Sequence, residues 1–245
     1  MRSPSVRWAW YAVLFAASPL FASTRPVTLT TASATSFVSY VAGPETASAC
    51  VVLVHDWFGV SPSYTGAAER LAEQGYCVVA MDLYNGRSAT THDEASALLG
   101  ALDSNLAAEK IDAAVKWLGD RPRKVAVMGF SMGARHALAA ALRNSAVRAT
   151  VLWYGETTKD ADGLRRLTGP VLLVVGSRDG PAALEESLAF AKAADTAGRG
   201  AEIYIYPGAA HAFAQPLFDQ GRSYDPIATE TAWRLTEDFL RRRLN

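Results

Sequence analysis

The sequence predicts a single doubly wound α/β domain, with a mostly parallel sheet flanked by helices. Two observations carry that expectation. Six short runs are almost continuously apolar, as strands buried on both faces must be. Longer stretches with helical periodicity alternate with them, which is the pattern of parallel strands joined by right-handed crossovers. The 245-residue length and the half-hydrophobic composition suit one domain with a substantial core.

The elements follow in order. The first residues read as a leader covering 1–22. Arg2 and Arg7 form a positive start, Trp8–Ala17 is apolar, and small Ala22 closes a cleavage site after Leu20-Phe21. That is the pattern of a secretory signal peptide, too short for a membrane span. It implies an exported product, periplasmic or secreted, cleaved near Ala22-Ser23, with one domain over 23–245. Val27–Thr31 and Phe37–Val41 alternate in the manner of an antiparallel hairpin, and Gly43-Pro44 ends it. The buried strands are expected at Cys50–His55, Cys77–Asp82, Lys124–Gly129, Ala149–Tyr154, Val171–Val175 and Ala201–Tyr206. Helices are expected at Ser63–Gln74, Asp93–Gly119 with a break near Asp103, Met132–Asn144, Pro181–Ala197 and Ile227–Arg243. No repeat, low-complexity run or linker interrupts them, and no later segment is long and apolar enough to cross a bilayer.

Charge excludes one class of function. Formal net charge is zero, and no basic patch interleaves with aromatics, so nothing marks a nucleic-acid surface. Arg241-Arg242-Arg243 reads as the solvated end of the last helix, where cations suit the dipole. The two cysteines, Cys50 and Cys77, lack zinc spacing. Each opens an apolar strand at a corresponding position. They are expected as two buried free thiols, with a disulfide as the alternative in an oxidising compartment.

The chemistry concentrates at Gly129-Phe130-Ser131-Met132-Gly133, a G-x-S-x-G placed between a strand and a helix. Glycines two positions either side let strand and helix approach closely, and the serine hydroxyl stands clear in a strained turn. The following helix points its amino end, with unpaired amides, at the same place. A serine hydroxyl is a poor nucleophile unless a base and an orienting acid lie within reach. In open α/β sheets such groups sit after strand carboxyl ends. Asp179 follows Val171–Val175, and His211 follows Ala201–Tyr206, completing the order Ser, Asp, His. Alone, Asp179 would be read as a turn residue before Gly180, and His211 as a loop histidine. Together with Ser131 they read as catalytic. Backbone amides of Met132 and Trp57 are the expected oxyanion donors. His55, His92 and His136 are the weaker histidines: a loop shaper, a residue near a helix start, and a helix residue facing away from the nucleophile.

These residues resemble the dienelactone hydrolase family of α/β-hydrolases. The resemblance covers most of the chain beyond the leader. It rests on His55-Asp56-Trp57-Phe58-Gly59-Val60, Met81-Asp82-Leu83-Tyr84, the Ser131 motif, Gly176-Ser177-Arg178-Asp179 and His211-Ala212-Phe213. It implies a hydrolase for carboxylic esters or lactones, taking a small-molecule substrate and no cofactor or metal. Well-known members carry cysteine where this chain has Ser131, and many carry glutamate where it has Asp56. With no thiolate to control, Asp56 is free to serve the substrate or the loop. Members acting on dienelactone hold the substrate carboxylate with arginines. Arg87 matches one with a shift in spacing, and Gln215 stands at the other. Asp56, Phe58, Arg87, Phe213 and Gln215 make up the expected substrate pocket, which suits a general ester or lactone better than a dienelactone. Two alternatives stay open: acyl transfer through the same residues, and an exported non-catalytic binding protein on the same fold.

Overall fold

The computed structural model describes residues 23–120 and 123–244. The expected leader lies outside them. Eight strands form one sheet in the order β1-β2-β4-β3-β5-β6-β7-β8. They are β1 (Arg25–Thr30), β2 (Ser36–Ala42), β3 (Ala49–Val54), β4 (Cys77–Met81), β5 (Lys124–Phe130), β6 (Val147–Trp153), β7 (Val171–Arg178) and β8 (Ala201–Ala210). β1, β2 and β4 pair antiparallel, and every other pair is parallel. The doubly wound expectation is met.

Helices cover both faces. β3 and β4 are buried throughout, and their side chains alternate between two cores, as the two-residue period of a strand requires. Val52 and Val54 pack with Ile111, Ala137 and Phe190 from α3 (Ser104–Gly119), α4 (Met132–Arg143) and α6 (Pro181–Thr196). Val51 and Leu53 pack with Leu71, Trp233 and Phe239 from α1 (Pro62–Glu73) and α7 (Pro226–Leu244). Burying each such side chain contributes about 1.5–3 kcal/mol.

The break expected near Asp103 exists and has a clear cause. α2 (His92–Gly100) begins with a capping box between Thr91 and Glu94. α3 then restarts at Asp103, whose carboxylate accepts the amides of Asn105 and Leu106 at 2.9 and 3.1 Å. Two short elements had no periodic signal: α5 (Ala161–Leu164) and a 3₁₀ turn at Phe218–Gly221. β8 also runs four residues past Tyr206, through Pro207 and Gly208. It can do so because it is the edge strand, where a proline without an amide proton is tolerated, and its register with β7 shifts there.

Cys50 and Cys77 are Cα partners across β3 and β4. Both are buried free thiols. The hydrogen bond between them lowers the Cys50 thiol, with Arg123 adding to the effect, and pushes Cys77 up. They sit at the amino ends of their strands, away from the carboxyl edge where Ser131 lies.

Candidate active site

Ser131 links β5 to α4 with φ 50° and ψ −116°, a conformation that L-residues rarely adopt. The surrounding backbone enforces it. The Ser131 amide donates to the Trp153 carbonyl at 2.9 Å, and its carbonyl accepts from Ala134. A Cβ on Gly129 would stand 2.1 Å from the Gly133 carbonyl oxygen. One on Gly133 would stand 2.3 and 2.4 Å from the carbonyl oxygens of His55 and Val54. No side chain fits at either position, so both glycines permit the close crossing of α4 over β3 and β5.

β7 and β8 deliver the other two groups. Asp179 is the first residue beyond β7, and His211 the first beyond β8. Asp179 Oδ1 lies 2.7 Å from His211 Nδ1, and His211 Nε2 lies 3.0 Å from Ser131 Oγ. A carboxylate only accepts, so Nδ1 carries the proton and Nε2 is left to accept the serine hydroxyl. The Asp179 side chain is almost fully buried, and that of His211 is about a third exposed. The Tyr154 ring packs edge-on against the imidazole at 5.5 Å. The structure therefore brings Ser131, His211 and Asp179 into one hydrogen-bonded chain.

A cavity of about 420 Å³ opens beside it. Trp57, Leu99, Met132, Tyr154 and Phe218 give it apolar and aromatic walls, and Arg135 and Glu156 are its charged members. Those two approach at 3.7 Å in an exposed position. Met132 opens α4, so its amide is among those left without an intrahelical acceptor. Trp57 sits in the loop after β3, across the cavity. Among the described residues, no group of three or more His, Cys, Asp or Glu is placed to hold a metal ion, and no helix is long and apolar enough to cross a membrane.

The expected substrate pocket is not where these walls lie. Phe58 is fully buried beside Trp57 and His92. Phe213 is fully buried, stacked on Trp153 at 5.9 Å. Asp56 and Gln215 are buried and bonded to each other, Nε2 to Oδ2, at 3.0 Å. The Asp56 carboxylate is one carbon shorter than glutamate. It turns back to accept the Phe58 amide at 2.8 Å, and burial raises its pKa. Arg87 lines a separate depression with Gly86, Ser88 and Glu94, and its Nε donates to the Tyr84 carbonyl. None of the five lines the cavity.

The remaining histidines have structural surroundings. His55 is buried; its Nε2 accepts the Leu83 amide at 3.2 Å, and burial lowers its pKa. His136 is buried on α4, and burial lowers it to about 4. His92 accepts the Asp219 amide and packs against Trp57 and Phe218 at 5.3 and 5.2 Å. Reasoning from motifs missed Leu99, Arg135, Tyr154, Glu156 and Phe218. Arg135 was within reach, one helical turn after the serine. Tyr154 and Glu156 share the stretch after β6, and Leu99 and Phe218 come from two distant segments.

Comparison with known proteins shows the family and the fold. A family model described as the dienelactone hydrolase family matches residues 37–244. Protein usf of Aquifex pyrophilus is 28% identical over 220 residues, covering 84% of this chain and 93% of that protein. A protein of Escherichia coli (strain K12) bearing a carboxymethylenebutenolidase name is 31% identical over 209 residues, covering 77% of this chain and 75% of its own. Among solved structures, the dienelactone hydrolase of Anabaena variabilis superposes with a TM-score of 0.70 at 24% identity, covering 92% of this chain and all of that one. An esterase of Pyrococcus furiosus superposes with a TM-score of 0.68 at 19% identity, covering both chains fully; at such identities the likeness is one of fold. The chain belongs to the dienelactone hydrolase family: it is a hydrolase of esters or lactones on the α/β-hydrolase fold.

Proposed function

We propose that this hydrolase works through an acyl-enzyme on Ser131. The observation that carries the reading is the chain Ser131 Oγ to His211 Nε2 at 3.0 Å and His211 Nδ1 to Asp179 Oδ1 at 2.7 Å, mounted on a strained serine. Ser131 Oγ attacks the acyl carbon while its proton passes to His211 Nε2. Asp179 holds the imidazole tautomer and stabilises the imidazolium. The amides of Met132 and Trp57 receive the developing oxyanion. His211 returns the proton to the leaving alkoxide, which departs as the alcohol, or stays tethered when the substrate is a lactone. His211 then takes a proton from water as its oxygen attacks the acyl carbon; the acyl–Oγ bond breaks, His211 returns the proton to Ser131 Oγ, and the acid leaves.

Apolar and aromatic walls favour a neutral ester or lactone with an apolar acyl group. Arg87 and Gln215 are engaged elsewhere, so the paired-arginine clamp for a substrate carboxylate is absent from the cavity. A panel of p-nitrophenyl esters of increasing acyl length, together with lactones, tests the reading. Ser131→Ala is expected to fold normally and to lose on the order of 10⁴-fold or more in turnover, along with labelling by a fluorophosphonate. Retention of a tenth of the activity would sink it. We also propose export with cleavage near Ala22-Ser23, on the strength of the basic and apolar pattern of residues 1–22. An intact mass beginning within a residue or two of Ser23 supports it, and one that still includes Met1 contradicts it.

A further inference from the structure

Asp56 and Gln215 are each about 1% exposed, yet their polar atoms are used between them and their neighbours. Asp56 immediately precedes Trp57, on the loop after β3. Gln215 stands four residues after His211, on the loop after β8. Asp56 Oδ1 accepts the Phe58 amide at 2.8 Å, and Oδ2 accepts Gln215 Nε2 at 3.0 Å. Gln215 Oε1 accepts the Leu217 amide at 3.2 Å and the Ser63 hydroxyl at 3.4 Å. The Gln215 backbone donates to the Ala212 carbonyl at 2.8 Å and accepts from Phe218 at 3.2 Å. Phe218 in turn packs on the His211 ring at 5.5 Å.

We propose that Asp56 and Gln215 form a buried strut that sets the Trp57 loop and the His211 loop at a fixed distance, and so positions the oxyanion donor against the base. The inference rests on the acyl-enzyme reading above. Neither residue touches the cavity, so both are positioning residues. Their effect belongs in kcat, because a displaced oxyanion donor or base is felt as charge develops and much less when substrate binds. A bond between two buried polar groups suits this use: it fixes one register, and losing either partner takes from the other a hydrogen bond that water cannot easily replace there.

Gln215→Met removes the bond at nearly constant volume. It is expected to lower kcat on p-nitrophenyl acetate by about tenfold or more while leaving KM nearly unchanged. Gln215→Glu gives a signature that a merely structural role would not produce. A carboxyl facing Asp56 can bridge only while the pair holds a proton. Activity relative to wild type should therefore be highest at mildly acidic pH and fall as the pair loses its shared proton, adding a high-pH limb that wild type and Gln215→Met lack. The titratable groups facing the pair are His55, Tyr64, Tyr84 and Tyr154. Burial holds His55 below and the three tyrosines above their usual ranges, so none of them supplies that limb. Wild-type kcat in folded Gln215→Met overturns the proposal, and so does a Gln215→Glu profile that matches wild type. If Gln215→Met does not fold, the Gln215→Glu profile decides alone. Wild type and Ser131→Ala run alongside: hydrolysis that does not depend on Ser131 would strike the acyl-enzyme reading and not the strut.

Discussion

At the scale of single residues, Asp179 is the sharpest choice to test, because Asp160 and Asp162 follow the neighbouring strand and compete for the same role. Only Asp179 meets the imidazole; Asp162 pairs with Arg165 at the surface. Asp179→Asn is expected to cut turnover by about 10²–10⁴-fold with the fold intact, while Asp160→Asn and Asp162→Asn do little. The opposite ranking would move the acid one strand earlier. His136 makes a separate prediction. Its folded pKa of about 4 lies below its ordinary 6.5, so it stays neutral in the fold and charges when unfolded. Its titration therefore costs nothing above pH 6.5, and stability is lost progressively as pH falls from there to about 4. At a pH of about 4.5 the loss approaches 2–3 kcal/mol. Denaturant unfolding of His136→Met should show a correspondingly smaller loss between neutral and acidic pH. Equal losses in the two proteins would contradict the assignment.

At the scale of elements, the crossing of α4 over β3 and β5 depends on two missing side chains. A Cβ on Gly133 would meet backbone oxygens, not a flexible tip, so the helix must move away from β3. Gly133→Ala is expected to cost about 1–3 kcal/mol by overpacking, read by denaturant unfolding. It should also lower kcat, since the displaced strand carries the Trp57 loop. A variant with unchanged stability would mean that the crossing is softer than its geometry. Legibility also divides at this scale. Ser131, Asp179 and His211 could be read from sequence because each follows an apolar strand, and a parallel sheet gathers strand carboxyl ends on one edge. The cavity walls could not. Leu99, the Tyr154-Glu156 stretch after β6 and Phe218 come from three distant segments and meet only after folding. Phe58 and Phe213 were misplaced for a related reason: sitting next to Trp57, or two residues from His211, says nothing about which way a loop side chain points.

For the whole molecule, the doubly wound sheet was legible because buried parallel strands are unbroken apolar runs, and helical periods separate them. What escaped were α5 and the 3₁₀ turn, too short for a period, and the tail of β8, where edge position outweighs proline. The central claim is that acyl groups pass through Ser131. Trypsin should release Val125–Arg135, a peptide whose one nucleophilic side chain is Ser131. Rapid acid quench of the enzyme during turnover of a p-nitrophenyl ester, followed by peptide mass spectrometry, measures the claim directly. The account predicts that this peptide gains the mass of the acyl group, and that Asp179→Asn slows the gain. An unmodified Val125–Arg135 alongside steady hydrolysis, or an acyl group on another peptide, would contradict it.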